Sequence, residues 1–278
     1  KGNKDSKIFN IFKQTPQILE NVVVKDKSII KSPKSKIISF IKYLLDKKKL
    51  YFKYDNTNFM INSSAIVIAG GKNKRINMVK PLINLGGKQI LIRINDVLSK
   101  LFSETILVIR KDQSDDIADL GMVLGMHIVE DKYENLGPIA GIYTGLLESI
   151  SEKNFIIGGD YPFLSEKLIK KMIDISNDSK SVFIKKENVI NPLHAIYEKS
   201  SWINILLNNL ENGNFSTKSI IEQNYKQLRS KLFPIDHLDN EYNQSLLDID
   251  TLEDLKKAKQ IIYSKNQSIR PDIRPEGI

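Results

Sequence analysis

The 278-residue chain has no cysteine, only three histidines and a single tryptophan. Without cysteine it can form no disulfide, no thiolate metal site and no cysteine nucleophile. His127, His194 and His237 are scattered with no metal-ligand spacing and read as structural residues. No apolar run approaches the roughly 20 residues that a membrane span needs, and no signal-peptide pattern opens the chain. A soluble, cytoplasmic protein is expected. The chain starts at Lys1 rather than Met, as it would if a native start were missing. Two familiar phosphate-binding motifs are absent as well. No GxGxxG follows a strand pattern, and Gly86-Gly87-Lys88-Gln89 lacks both the upstream glycine and the hydroxyl of a P-loop.

What the chain does contain is enough apolar material for a core, 41% hydrophobic and 8% aromatic residues, and an uneven charge. Residues 1–62 hold 14 lysines, no arginine and five acids, which accounts for the whole net charge of +9. The remaining 28 basic and 28 acidic residues cancel over 63–278. A neutral body with a basic appendage is not the footprint of a nucleic-acid binder, so neither nucleic acid nor membrane is an expected partner. The run Lys47-Lys48-Lys49 reads as a solvated helix end. Residues 1–62 form the expected basic extension, or the remnant of a fused domain; 63–264 form the main domain and 265–278 a frayed tail.

Within the appendage, Ile18–Val24 and Leu50–Tyr54 have strand character. From Ser64 onward, short apolar runs alternate with helical patterns. Strands are predicted at Ala65–Ile68, Thr105–Ile109, Gly125–Val129, Asn154–Ile157 and Ser181–Ile184. Helices are predicted at Ile90–Leu101, Asp115–Leu120, Ile139–Ile150, Ser165–Ile175, Trp202–Leu210, Ser216–Tyr225 and Leu252–Tyr263. Such alternation implies a layered α/β domain with a mainly parallel sheet and helices on both faces.

In that architecture ligands bind beyond the carboxyl ends of the strands. The first predicted strand runs into Ala69-Gly70-Gly71-Lys72-Asn73-Lys74-Arg75, with Lys80 just beyond. Paired glycines let backbone N–H groups approach phosphate oxygens, and Arg75 and Lys80 add positive charge. On spacing alone, a plain glycine turn with surface lysines explains this stretch equally well. Other strand ends carry ligand-type residues too. Glu130-Asp131 is followed by the loop Gly137-Pro138-Ile139-Ala140-Gly141, and Asn154–Ile157 by Gly158-Gly159-Asp160-Tyr161-Pro162-Phe163. An acid at such a strand end is well placed for Mg²⁺ bridging phosphates. Asp248-Ile249-Asp250-Thr251 supplies two further carboxylates, although Asp250 also reads as a helix N-cap with Glu253 completing a capping box.

Together these residues resemble the molybdenum cofactor guanylyltransferases and the wider nucleotidyltransferase clan, over residues 64–263. The family's opening LAGGxSxRMGxxKxLL pattern stands here as Ile68-Ala69-Gly70-Gly71, Arg75 and Lys80-Pro81-Leu82-Ile83. Its GPLAGI loop is Gly137–Ile142, its CDMPF is Gly159–Phe163, its PLxALY is Pro192–Tyr197, and its NTPEDL is Asp250–Leu255. The resemblance implies a three-layer, Rossmann-like (GT-A-like) domain that transfers GMP from GTP to the terminal phosphate of molybdenum cofactor and releases pyrophosphate. It implies Arg75, Lys80 and Asp160 as catalytic residues. Ile68, Ala69, Gly70, Gly71, Lys80, Asp131, Gly137 and Asp160 would bind nucleotide, and Asp160 with Asp250 would hold Mg²⁺. GTP and a molybdopterin-type cofactor are the implied substrates, with molybdoenzymes or their chaperones as further partners. Gly70-Gly71, where a cytidine-transferring branch carries Ala-Gly, favours GTP over CTP. Asn73, Asn77, Val79, Asp250 and Leu252 depart from the family pattern, which keeps a CTP-using enzyme and a non-catalytic nucleotide-binding module as alternatives.

Overall fold

The computed structural model describes residues 22–23, 51–52, 61–71, 75–76, 78–113, 115–236 and 240–269. Most of the expected basic extension, the loop residues Lys72, Asn73, Lys74 and Asn77, His237, and residues 270–278 lie outside the described residues. Within the extension, Val22–Val23 pairs antiparallel with Tyr51–Phe52, inside the two runs read as strand-like.

The main domain runs β1 (Ile61–Ile68), α1 (Ile90–Leu101), β2 (Phe102–Ile109), α2 (Asp115–Val123), β3 (His127–Glu130), α3 (Pro138–Glu148) and β4 (Lys153–Gly158). It continues α4 (Glu166–Ser176), β5 (Val182–Lys186), β6 (Val189–Glu198), α5 (Lys199–Glu211), α6 (Thr217–Asn224), β7 (Lys231–Pro234), α7 (Asn240–Ser245) and α8 (Leu252–Ile269). The seven strands form one sheet in the order β3-β2-β1-β4-β6-β5-β7. All neighbours are parallel except β6, which runs antiparallel to both β4 and β5.

Alternation along β1 shows how this sequence makes three layers. Successive side chains of a strand point to opposite faces. Ala65 and Val67 therefore join one core with Ile90, Leu91 and Leu98 of α1, Ile117 of α2, Leu168 of α4 and Leu255 of α8. Ile66 enters the other core with Ile139 and Ile142 of α3, Trp202 and Leu206 of α5, and Ile220 of α6. A strand buried on both faces has no polar side to show, which is why Ala65–Ile68 reads as continuous apolar sequence. The lone tryptophan, Trp202, is fully buried, donates to Ser181 Oγ (2.6 Å) and meets Phe183 and Tyr197 edge-on, so its fluorescence reports directly on this core.

The layers are packed closely enough to require a glycine. A Cβ built at Gly145 in α3 collides with Ile66 Cγ2 and comes within 3.3 Å of Val108 Cγ2. Gly145→Ala gains about 1 kcal/mol of helix propensity and loses about 1–3 kcal/mol to overpacking. The expected net result is a destabilisation on the order of 1 kcal/mol in urea unfolding followed by Trp202. An unchanged or higher midpoint would mean that α3 and β1 are not in this contact.

Several features differ from the sequence expectations. β6 and β7 carry no strand prediction, and α7 no helix prediction. β6 contains Pro192, which ordinarily argues against an interior strand; here it lies where the β5–β6 register shifts between Asn191 and Ala195, an irregularity that tolerates proline. β7 is a four-residue edge strand ending in Pro234, too short to show a period. Finally, α8 continues to Ile269, past Tyr263, where the sequence pattern ends the helix. Among the described residues no helix is long and apolar enough to cross a membrane.

Candidate active site

The carboxyl ends of β1, β2, β3 and β4 open into one cleft of about 440 Å³. Ile68, Ala69, Gly70, Gly71, Lys80, Asp131, Gly137 and Asp160, the residues expected to bind nucleotide, all line it. Each belongs to a different local device. The β1 carbonyl of Ile68 accepts from the Gly159 N–H (2.8 Å), and the Ala69 N–H donates to the Val108 carbonyl (2.8 Å), so the glycine loop is tied to β2 and to the turn after β4. The N–H groups of Gly70 and Gly71 donate to no other group among the described residues, which leaves them available to an anion.

Lys80 opens a short 3₁₀ turn, Lys80–Leu82, and lies at the end of the cleft next to β4. Its Nζ donates to Asp160 Oδ2 at 2.9 Å and also to Asp250 Oδ1. Burial would by itself lower the Lys80 pKa, but the attraction of Asp160 and the hydrogen bonds to Asp250 and Asp160 outweigh it and hold the ammonium above its ordinary value. The chain reaches this arrangement through the backbone: the Ile249 N–H donates to the Asp160 carbonyl (3.1 Å), pinning the segment that carries Asp248 and Asp250 beside the β4 turn.

The capping box falls one residue later than the sequence suggested. Thr251, not Asp250, caps α8: the Asp254 N–H donates to Thr251 Oγ1 (3.1 Å), while Asp254 Oδ2 accepts from the Thr251 N–H (2.8 Å) and hydroxyl (2.7 Å). With the cap supplied by its neighbour, Asp250 is released to face Lys80. Asp248, half-buried and close to both Asp160 and Asp250, has its pKa pushed up to about 6 by desolvation first and then by the two neighbouring carboxylates.

At the other end, the carboxylate of Asp131 accepts from Thr144 Oγ1 (3.0 Å) and the Tyr133 N–H (3.2 Å). Burial raises its pKa and these two hydrogen bonds partly oppose the rise. The loop from Asn135 to Gly137 then feeds into α3, whose N-terminus, with Pro138 at its first position, faces the same cleft.

The expected metal pair fits the chemistry of Mg²⁺. Asp160 and Asp250 converge on one point, where they already hold a cationic nitrogen, and both offer hard oxygens. Among the described residues no group of three or more His, Asp or Glu forms a ready-made cage. Mg²⁺ ordinarily takes one or two carboxylates and completes its shell with phosphates and water. These residues fit an ion shared with a triphosphate, not one enclosed by protein.

Not every expected site residue joins the cleft. Arg75 is exposed and does not line it. Asp250 reaches it only through Lys80. Conversely Arg110, Pro81, Asn135, Leu136 and Leu193 line the cleft without having been singled out. Arg110 was within reach of sequence reasoning, because it follows the carboxyl end of β2 and ligands gather at such ends.

The sequence and fold are similar to those of known proteins. The model of the MobA-like NTP transferase domain matches residues 65–228. A Natranaerobius thermophilus relative named "Probable molybdenum cofactor guanylyltransferase" is 30% identical over 205 residues, covering 72% of this chain and 97% of the relative. A Methanosarcina mazei protein of the same name is 31% identical over 199 residues, covering 69% and 88%. The crystal structure of molybdopterin-guanine dinucleotide biosynthesis protein A from Archaeoglobus fulgidus superposes with a TM-score of 0.60 at 22% identity, over 72% of this chain and 99% of that one. The chain belongs to the MobA-like NTP transferase family as a nucleotidyltransferase.

Proposed function

We propose that the protein transfers GMP from GTP to the terminal phosphate of a molybdopterin-type cofactor, giving the guanine dinucleotide form and pyrophosphate. The observation that carries this reading is the single cleft with a glycine loop and Asp131 at one end and Lys80 between Asp160 and Asp250 at the other. The names of the relatives support guanine and the pterin acceptor.

The reaction is an in-line attack of an acceptor phosphate oxygen on the α-phosphorus, with the bond to pyrophosphate breaking and the electron pair leaving on it. It needs no covalent nucleophile from the protein, which suits a chain with no cysteine. The protein must align two polyanions and offset charge on the leaving group. The N–H groups of Gly70 and Gly71 and the Lys80 ammonium present positive charge to the phosphates, while Asp131 holds the nucleoside end. Asp160 and Asp250 would hold Mg²⁺, which when bound neutralises phosphate charge and orients the triphosphate. Arg75 stays a candidate for the outer phosphates from its exposed position.

Of the departures that lie in described residues, Asp250 belongs to this machinery as a partner of Lys80, and the other two stand outside it. Leu252, in place of the family proline, is the first residue of α8 and is 57% exposed. Val79 packs against the core beside the 3₁₀ turn. Incubating the protein with GTP, Mg²⁺ and molybdopterin should yield the dinucleotide and pyrophosphate. GTP with Mg²⁺ at 100 times its Kd should add about 2.7 kcal/mol of stability. Stabilisation by CTP in its place would move the assignment to a cytidylyltransferase. No stabilisation by either nucleotide would leave a non-catalytic module.

A further inference from the structure

We infer that Arg110 reads the base of the bound nucleotide, its guanidinium donating to the acceptor edge of guanine formed by O6 and N7. This rests on the GTP reading above. Along the carboxyl rim of the sheet the order is Asp160 after β4, Ala69–Gly71 after β1, Arg110 after β2 and Asp131 after β3. Adjacent strands are about 4.8 Å apart, which sets Arg110 roughly 10 Å along the cleft from the phosphate end. That is the nucleoside half of the cleft.

The side chain is held there by several contacts. Its stem lies over Gly70, where an added Cβ would come within 3.1 Å of Arg110 Cγ. Nη1 donates to the Gly70 carbonyl at 3.3 Å and Nε to Asp112 Oδ1 at 2.6 Å. The Arg110 N–H donates to Gln113 Oε1 (3.1 Å), and Gln113 Nε2 in turn donates to the Ala69 carbonyl (3.0 Å). Arg110, Gln113 and the glycine loop are therefore one unit. A Cβ at Gly70 would have to push the arginine stem aside by a few tenths of an ångström, whereas among the described residues a Cβ at Gly71 would meet nothing within 4 Å.

Two of the five guanidinium N–H groups are used in these bonds, and among the described residues Nη2 donates to nothing. A guanidinium offers donors only. Guanine presents O6 and N7 side by side as acceptors that match its fork, while adenine places an amino donor at the 6 position.

The test is equilibrium binding of GTP, ITP, 2-aminopurine riboside triphosphate and ATP to the full chain, its Arg110→Met variant and its Arg110→Lys variant. ITP keeps O6 and N7; the 2-aminopurine analogue lacks O6. Arg110→Met should weaken GTP and ITP about 10- to 100-fold while leaving the 2-aminopurine analogue and ATP within a few-fold of wild type. Arg110→Lys, which keeps charge but not the fork, should recover only part of that loss. Trp202 fluorescence of the nucleotide-free variants checks that the fold is kept. Equal weakening of all four nucleotides, or of none, would overturn the inference, because Arg110 would then only prop the loop or play no part. A wild type that binds CTP and not GTP would overturn both this inference and the GTP reading. Wild-type GTP binding with an unselective effect of Arg110→Met overturns the Arg110 assignment alone.

Discussion

Lys80→Met should cut nucleotidyl transfer about 100- to 1000-fold, the range seen when one preorganised donor to a developing negative charge is removed. Lys80 is the cation that Asp160 and Asp250 share at the proposed phosphate end of the cleft. Methionine keeps much of the stem volume and removes the charge, so the backbone around the 3₁₀ turn should persist. Its loss also leaves Asp160, Asp248 and Asp250 facing one another with no counter-charge from Lys80. Asp248, already pushed up to about 6, should rise further, because the Lys80 charge is one of the influences holding it down. Lys80→Arg should recover part of the rate by restoring the charge without the compact ammonium. The measurements are single-turnover transfer from GTP and Trp202 fluorescence of the folded variant. An unchanged single-turnover rate in Lys80→Met would remove Lys80 from the mechanism.

The second large effect concerns acid stability and lies outside the cleft. His194, on β6, is fully buried with neither ring nitrogen hydrogen-bonded among the described residues, and it packs edge-on against Phe155 and Tyr161. Burial lowers its pKa to about 3 from an ordinary 6.5. Above pH 6.5 neither the folded nor the unfolded chain protonates it, and its neutral form is tolerated in full. As pH falls below 6.5 the unfolded chain takes up a proton that the folded chain refuses, and stability is lost at about 1.4 kcal/mol per pH unit until the folded pKa is reached. Asp248 acts in the opposite direction, since a raised carboxyl pKa makes the folded state the better proton acceptor as pH falls below about 6. The wild-type profile is thus a difference of two trends, and a variant is needed to separate them.

His194→Leu removes the titrating group and two orphaned nitrogens at similar volume. Relative to wild type it should gain about 3 kcal/mol between pH 6.5 and pH 4. At pH 7.5 the difference should be small or favour leucine, because no unsatisfied polar atom remains. Urea unfolding at several pH values would decide the matter. Parallel profiles for the two proteins would show that His194 does not carry the titration.

Much of the frame was legible in sequence because strands buried on both faces leave a plain trace. Ala65–Ile68 and Phe155–Ile157 are apolar throughout, and the helix between Ile90 and Leu101 was readable to the residue from its period. Most cleft residues were legible for a related reason. They sit directly after such strands, where the topology must place a ligand, so locating the strand ends located Ala69, Gly70 and Asp160. β6 escaped because Pro192 breaks the local rule that an irregular register relaxes.

The amino-acid sequence by itself determined the alternation of strands and helices, the family pattern and the roster of charged residues near strand ends, since these depend on neighbours only a few positions apart. Which of those charges meet was decided by the tertiary structure alone. Asp250 looked like a helix cap until Thr251 was seen to take that place, and it reaches Lys80, 170 positions away, through the backbone bond between Ile249 and Asp160. Arg75, nearer in sequence to the glycine loop, lies exposed outside the cleft, while Arg110 from the next strand enters it. Contacts between residues far apart along the chain follow from strand order and sheet twist, and no local spacing encodes either.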